Sequence, residues 1–164
     1  MTSMSVLEWL NALEQTWLGT VVRESAFPYV EGTHVLALSL SVGTVAWFDL
    51  RLLGLTMRSR PVSEVFDSVK GWMFAGFGVM FVTGASLFAA HATDAYESRS
   101  FRVKMALLVL AGINTLVFHV AIDRRRAEWN AAPVPPAAAR MAGLASLVLW
   151  LSVITAGRMF AYDL

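Results

Sequence analysis

Glu31 and His34 stand three residues apart at the start of an apolar stretch, EGTHVLALSLSVGTVAWFDL, that occupies positions 31–50. Side chains three positions apart lie on one face of a helix, so this carboxylate and this imidazole can touch. Such a contact can fix the histidine tautomer, raise the basicity of the ring, or supply two ligands to a metal ion. The structural alternative is that Glu31 lies among the lipid headgroups and His34 bonds a neighbouring helix. The pair is the first candidate site, with His34 and Glu31 as metal ligands.

The other two histidines, His91 and His119, lie in two further apolar stretches, and histidine is a common axial ligand of haem iron in helix bundles. Two haems with two histidines each would need four, so the sequence supports at most one haem b. His34 and His91 fall near the same side of a membrane and form the expected pair. His119 lies on the cytoplasmic side of its helix midpoint, whereas His34 lies on the outer side of its own. His119 is therefore a candidate ligand that does not share an iron directly with His34.

Arg158 ends the last apolar stretch on the same side as Glu31 and His34. A charge at this depth is costly unless it is paired, and a Glu31–Arg158 ion pair is the simplest solution. With a haem present, the two charges would instead tune His34 or neutralise a propionate. On the opposite side, the same reasoning predicts a second set of paired charges: Asp49 or Arg51 with Lys70 or Asp123.

The elements that would position these residues are membrane-spanning helices. The chain has 164 residues, of which 57% are hydrophobic and 15% charged, and its mean hydropathy is +0.58. Such values, with the apolar residues gathered in long blocks, are typical of a polytopic membrane protein. Four blocks are long enough to span a bilayer, at about 30–50, 69–91, 103–122 and 140–158. The predicted fold is all-α, a membrane four-helix bundle that forms one domain over residues 1–164.

Residues 5–24, SVLEWLNALEQTWLGTVVRE, form a separate N-terminal element. Their apolar residues recur at helical spacing, but charged residues interrupt the run, so the segment is too polar for a fifth span or a signal peptide. Trp9 and Trp17 are the aromatic residues favoured at headgroup depth. The segment is predicted to be an amphipathic interfacial helix, which Pro28 separates from the first span.

The basic residues predict the orientation of the spans. With four spans, the first and third connections share one side and carry eight basic residues, whereas the side with both termini carries five. Basic connections stay in the cytoplasm, so both termini are expected on the outer side, facing a periplasm or the exterior. The eight residues are Arg51, Arg58, Arg60, Lys70, Arg124, Arg125, Arg126 and Arg140.

The composition also excludes several classes of function. The absence of cysteine excludes disulfides, thiolate metal sites and thiol chemistry. A net charge of +1 gives no basic patch for nucleic acid. Neither Ser39 nor Ser41 has a histidine one turn away on its own helix, so no catalytic residue is assigned and enzyme activity is left open.

An apolar midplane argues against a transporter. Copper is a further metal alternative, with the outer ligands His34, His91, Met159 and Glu31.

Five stretches carry a resemblance to a known family: LEWLNALEQTWLGTVVRES, EGTHVLAL, FDLRLLGL, FRVKMALLVLAGINTLVFH and LWLSVITAGRMFAY. In this order they resemble a family of uncharacterised bacterial inner-membrane proteins, a domain of unknown function. The resemblance implies four spans and no established activity. It also implies recurring polar positions at Glu31, His34, Asp49, Arg51, Asn114, His119 and Arg158. More distantly, the chain is similar in architecture to small four-helix b-type cytochromes and to the membrane domain of copper-resistance proteins.

These observations leave two functions open. The first is a haem b- or metal-binding redox protein of electron transport, with His34 as the primary ligand. The second is a non-enzymatic accessory or assembly subunit that packs against a larger membrane complex, or against a second copy, through small-residue faces on the second and fourth spans. A haem needs a large cavity near His34, and four bulky side chains could fill that space: Phe27, Phe88, Trp150 and Phe160.

Overall fold

The computed structural model describes residues 5–163, with the side chain of Asp163 outside the description. The described chain is helical and contains no strand, which confirms the all-α prediction. Two π-helical segments, Val22–Ala26 and Phe118–Ile122, and one 3-10 turn, Asp123–Arg125, link some of the α-helices. The α-helices are α1 (Val6–Glu14), α2 (Trp17–Val21), α3 (Phe27–Leu52), α4 (Val62–Ala90), α5 (Ala92–Glu97), α6 (Arg99–Val117), α7 (Arg126–Trp129) and α8 (Ala137–Asp163).

Four continuous helical stretches are long and apolar enough to cross a membrane, as the sequence predicted: Trp17–Leu52, Val62–Ala90, Arg99–Trp129 and Ala137–Tyr162. All four begin before the predicted blocks. The second begins seven residues earlier than position 69, directly after Pro61, because its first two turns are helical although they contain polar residues. Hydropathy marks the apolar part of a helix and leaves out such polar ends.

The N-terminal segment 5–24 is divided into two helices, a correction to the single predicted helix. Ser5 caps α1, and the Thr16 hydroxyl accepts a hydrogen bond from the Gly19 N–H at 3.2 Å and so begins α2. Pro28 does not separate this segment from the first span, because it lies in the first turn of α3, where its missing N–H is tolerated. The π-helical turn before it keeps the chain helical from Trp17 to Leu52.

The four long helices pack as two hairpins. α3 lies along α4, α6 lies along α8, and α3 also contacts α8, which joins the two pairs. Glycines bring α3 and α4 together: a Cβ on Gly76 would lie 2.9 Å from the Ser41 Cβ, and one on Gly84 would lie 3.2 Å from the His34 Cε1. On α8, Gly143 and Gly157 pack against α3 and α6 in the same way. The small residues of the second and fourth spans therefore hold this bundle together.

The bundle has two sides, which the ends of its helices define. The termini side carries α1, α5 and the end of α8, and the opposite side carries the connections 53–61 and 123–136. On the opposite side, Gly54 has a φ of +70°, a conformation that favours glycine, and ends α3. Beside it, Arg51 is fully buried and donates hydrogen bonds to the carbonyl oxygens of Arg60 and Ala132, both at 2.9 Å. One side chain thus ties the two connections of this side together.

The charge pairing predicted for the opposite side is wrong. Lys70 pairs with Asp67, and Asp123 pairs with Arg126. Asp49 is buried and hydrogen-bonds the Ser146 hydroxyl of α8. Because residues two positions apart point about 200° apart around a helix, Asp49 and Arg51 face different neighbours and have no common partner.

The close approach of α3 and α4 can be tested with two alanine variants, one at the contact and one away from it. Gly76→Ala places a methyl group against Ser41, whereas Gly78, on the same helix, has no neighbouring atom within 4 Å of its Cβ position. We expect Gly76→Ala to lower the free energy of unfolding by about 1–3 kcal/mol, because overpacking forces the two helices apart. Gly78→Ala should be neutral or stabilising, since alanine is the better helix former. Thermal unfolding in detergent measures both variants, and an equal response would contradict the described contact.

Candidate functional site

His34 lies inside the bundle in a defined tautomer. Its Nδ1 is 2.8 Å from the Thr83 Oγ1, and the Thr83 hydroxyl donates its own hydrogen to the Val79 carbonyl at 2.7 Å. Thr83 must therefore accept from Nδ1–H, and the backbone carbonyl of Met80 is a second acceptor close to the ring. The neutral ring then carries its lone pair on Nε2. No hydrogen bond to Nε2 occurs among residues 5–163.

Lys104 approaches the same region from α6. Its Cδ, Cε and Nζ pack at 3.6 Å from the Cβ position of Gly157 on α8, and its ammonium interacts electrostatically with His34. Within the described part of the chain, this ammonium forms neither an ion pair nor a hydrogen bond. Each long helix thus contributes to what we call the His34–Lys104 site: His34, Thr83 with Gly84, Lys104 and Gly157.

Aromatic rings border the His34–Lys104 site on both sides. Towards the termini side, the ring of Phe101 lies 5.7 Å from Phe88 and 5.2 Å from Phe160. Deeper in the bundle, Phe77 and Trp150 are in contact, with ring centroids 5.2 Å apart. Three of the four bulky residues named from the sequence, Phe88, Trp150 and Phe160, belong to these ring contacts, and each is half-buried. Phe27, the fourth, packs beside His91 instead.

His91 lies at a different depth from His34. It ends α4, with its ring 5.4 Å from the Phe27 ring and its Nδ1 3.5 Å from an Asp94 carboxylate oxygen. His34 contacts Gly84, and His91 is seven residues further along α4, about 10 Å along the axis. The structure therefore does not bring His34 and His91 to the two faces of one iron.

His119 lies near the opposite side. Its ring is 6.3 Å from the Phe66 ring, and its Nδ1 is 3.6 Å from an Asp123 oxygen. Phe66 and Thr83 are 17 residues apart on α4, so His119 and His34 are separated by about 25 Å in depth. The three histidines occupy three levels of the bundle. In residues 5–163, no three His, Cys, Asp or Glu side chains gather at a metal site, so the His34–Glu31 pair lacks a third ligand of these types.

The expected Glu31–Arg158 ion pair is absent from the described residues. The guanidinium of Arg158 lies over the Tyr162 ring, 5.3 Å from its centroid. Gly157 faces Lys104 inside the bundle, and the next residue points about 100° away, so Arg158 is exposed on the outer surface. Arg158 is therefore not available to balance Glu31 or to neutralise a propionate beside His34.

Sequence reasoning missed the roles of Thr83 and Lys104. The sequence did contain an indication for Lys104. A lysine inside an apolar helix is a candidate functional residue, and the helical spacing places Lys104 on one face with His119. The sequence contained no such indication for Thr83, because only the register between α3 and α4 places its hydroxyl against His34.

A second polar cluster forms on the termini side, between α1 and α5. The Glu14 Oε1 accepts hydrogen bonds from the Thr93 N–H at 2.7 Å and from the Thr93 hydroxyl at 2.5 Å, and Arg23 lies 4.0 Å from the other oxygen. Burial raises the pKa of the Glu14 carboxyl, but the two Thr93 hydrogen bonds and the Arg23 charge outweigh burial. The pKa of Glu14 therefore lies below its ordinary value.

Asp49 is the third buried polar group. Its partner is the Ser146 hydroxyl of α8, and the Asn114 amide of α6 donates separately to the Ala142 carbonyl of α8 at 3.1 Å. Among the residues that the structure describes, the Asp49 Oδ2 atom has no hydrogen-bond partner. Asp49 and the His34–Lys104 site are separated by 15 residues of α3, about 22 Å, and are independent.

The fold and these clusters define a class of protein: an all-α chain with four helices of membrane-spanning length and ionisable side chains inside the bundle. Over residues 6–163 the chain matches the model of a family of unknown function, DUF6644, and it belongs to that family. No curated protein and no solved structure matches the chain. The uncharacterised family is thus confirmed, and the likeness to b-type cytochromes and copper-resistance domains has no support.

The lowered pKa of Glu14 predicts a pH dependence. A carboxyl whose folded-state pKa is depressed stabilises the fold fully above its unfolded-state pKa, and loses this contribution as the pH falls through the folded-state value. We expect Glu14→Gln to lower the free energy of unfolding by about 1.5–3 kcal/mol at neutral pH, because the charged acceptor is lost. The difference should disappear in acid.

Thermal unfolding in detergent across a series of pH values measures this difference. Glu24→Gln is the matched control, because Glu24 is exposed and lies close in sequence. A Glu14→Gln deficit that is the same at every pH would contradict a role for the charge.

Proposed function

We propose that the protein binds the head group of a membrane quinone at the His34–Lys104 site and serves electron transport in this way. The observation that carries the proposal is a free acceptor and a free donor in one apolar interior. The acceptor is the His34 Nε2, and the donor is the Lys104 ammonium, neither of which has a hydrogen-bond partner among the described residues.

Quinone chemistry matches this pair of groups. A quinone carbonyl oxygen accepts a hydrogen bond from an ammonium, and a quinol hydroxyl donates one to a neutral imidazole nitrogen. Thr83 holds His34 in the tautomer that presents Nε2 as acceptor, so the ring is oriented before the ligand binds. Because the surroundings have a low dielectric constant, both interactions are stronger than in water. His34 would bind the ligand and accept the quinol proton, while Lys104 would orient the carbonyl.

The arrangement of helices gives the ligand a route from the lipid. α4 packs along α3, and ring contacts join it to α6, through Phe88 with Phe101, and to the π-helical segment after α6, through Phe66 with His119. Side chains rather than close backbone contacts fill this side of the bundle. An isoprenoid tail can lie between α4 and α6 while the head group reaches the His34–Lys104 site.

Haem b at His34 is the redox alternative that the sequence suggested. The Nδ1–H bond to Thr83 favours it, since a ligating histidine typically donates its other N–H to a neighbouring group. Two observations disfavour it: His91 lies about 10 Å away along α4, and the rings of Phe88 and Phe160 both pack against Phe101 on the side of the site where His91 lies. A quinone ring is much smaller than a haem and fits this packing better.

The remaining predictions are less favoured by the geometry. For copper, Met159 faces outward with 52% exposure and does not join His34. For an accessory subunit or a homo-oligomer, the glycines of α4 and α8 are used inside the bundle, so they no longer point to a partner. The proposal keeps the predicted location, a bacterial inner membrane with periplasmic termini, which the basic residues of the opposite side support.

Quinone binding can be measured with a short-tailed quinone and the protein in lipid nanodiscs, by quenching of tryptophan fluorescence. We expect saturable quenching in the wild type. Lys104→Gln and His34→Ala should each weaken binding about 10–100-fold, because each removes a hydrogen bond worth roughly 1.5–3 kcal/mol when one partner is charged or becomes so. His119→Ala is the matched control and should bind as the wild type does.

Two outcomes would overturn the quinone proposal. The first is equal quenching in all four proteins, which would mean that the quinone simply partitions into lipid. The second is an absorption spectrum of the protein, expressed with adequate haem, that shows a Soret band sharpened by dithionite and lost in His34→Ala. That spectrum would establish a b-type cytochrome instead.

A further inference from the structure

A groove of about 500 Å³ runs between α6 and α8 on the outer surface of the bundle, at the termini side. Its α6 wall extends from Arg99 to Leu107 and its α8 wall from Leu151 to Met159, so each wall is about 12 Å long. The His34–Lys104 site faces the interior and contributes no residue to this lining. What occupies the groove is therefore a question separate from quinone binding.

The body of the groove is apolar. Val103, Leu107 and Leu151 supply hydrocarbon walls, and Val103 and Leu151 are more than half exposed. The two α8 hydroxyls in the lining are already satisfied, since Ser152 donates to the Val148 carbonyl at 2.8 Å and Thr155 donates to the Leu151 carbonyl at 2.9 Å. The groove thus presents a surface that suits an acyl chain.

The mouth of the groove is a cationic donor site. Arg99 and Ser100 begin α6, and within residues 5–163 neither side chain has an ion-pair or hydrogen-bond partner. The Ser98 hydroxyl accepts from the Phe101 N–H at 3.1 Å, which leaves the N–H groups of Arg99 and Ser100 without a capping bond. The Arg99 guanidinium and the Ser100 hydroxyl thus line this end of the groove, beside the positive N-terminus of a 19-residue helix, and all three favour an anion such as a phosphate.

The positive charge at the mouth of the groove favours an anionic ligand. Arg102, one turn further along, donates hydrogen bonds from its guanidinium to the carbonyl oxygens of Ser98 and Glu97, and within the described side chains it adds a second positive charge without a carboxylate partner. A packed apolar helix would bury Arg99 without a counter-ion, which is costly in a membrane. An anionic phospholipid supplies both the phosphate and the chain.

We propose that the α6–α8 groove is a binding site for an anionic phospholipid, with the phosphate held by Arg99 and Ser100 and one acyl chain lying along Leu107 and Leu151. Selectivity over a zwitterionic lipid arises at the mouth, because a choline group brings a positive charge towards Arg99. The groove walls contribute affinity for either lipid.

Native mass spectrometry of the detergent-purified chain tests this site, with dioleoyl phosphatidylglycerol and dioleoyl phosphatidylcholine as competing probes. We expect the wild type to retain one phosphatidylglycerol in at least about tenfold preference, in line with a charge-assisted hydrogen bond. Arg99→Gln should abolish the preference. Arg124→Gln is the matched control, because it removes the same charge from an exposed position on the opposite side.

A second variant tests the walls of the groove. Leu151→Trp should lower the retention of both lipids by filling the groove, while thermal unfolding shows whether the variant folds. Equal losses in Arg99→Gln and Arg124→Gln would overturn the proposal in favour of general charge attraction. A dimer that Leu151→Trp dissolves would overturn it in favour of a partner helix. Because quinone quenching should be unchanged in Arg99→Gln, failure of either proposal leaves the other testable.

Discussion

The contact between α3 and α4 is the interaction on which the rest of the structure depends. Gly76 lets α4 approach Ser41 of α3, and eight residues further Gly84 accepts the ring of His34. Because this approach fixes the register of the two helices, the Thr83 hydroxyl lies 2.8 Å from Nδ1 and sets the tautomer of the ring. A helix pair separated by one more methyl group would lose this hydrogen bond, so the chemistry of His34 depends on the packing of two glycines.

The ionisable groups inside the bundle are arranged by depth. Arg51 ties the opposite-side connections, Asp49 bonds Ser146 further in, His34 and Lys104 lie nearer the termini side, and Glu14 holds α1 on α5. Each group except Lys104 has a hydrogen bond within the described chain. In an apolar medium an unpaired charge is costly, and the exception is therefore the best indication of where a ligand binds.

The separation of the three histidines in depth disfavours the haem and metal-ion interpretations. A haem bound by two histidines needs both rings at one level on opposite sides of an iron, and a metal ion needs three or four side chains within reach. The three histidines lie on three levels, and aromatic ring contacts lie between these levels and beside His119. A ligand that needs one acceptor and one donor makes a smaller demand, which His34 and Lys104 meet.

The sequence by itself determined the number of long helices and the helical content, because apolar blocks of membrane length have few alternatives. Its assignment to a family of unknown function was also correct. The sequence also raised the alternative that His34 bonds a neighbouring helix, which is the arrangement observed with Thr83 of α4. Tertiary structure alone decided the partners. Arg158 turned outward because its neighbour Gly157 faces Lys104, and Asp49 and Arg51 diverged because they point to different helices. Glu14 met Thr93 across 79 positions. Hydropathy indicates the depth of a residue in a membrane. The rotation and register of each helix depend on side-chain packing between helices, which the sequence of one helix alone does not determine.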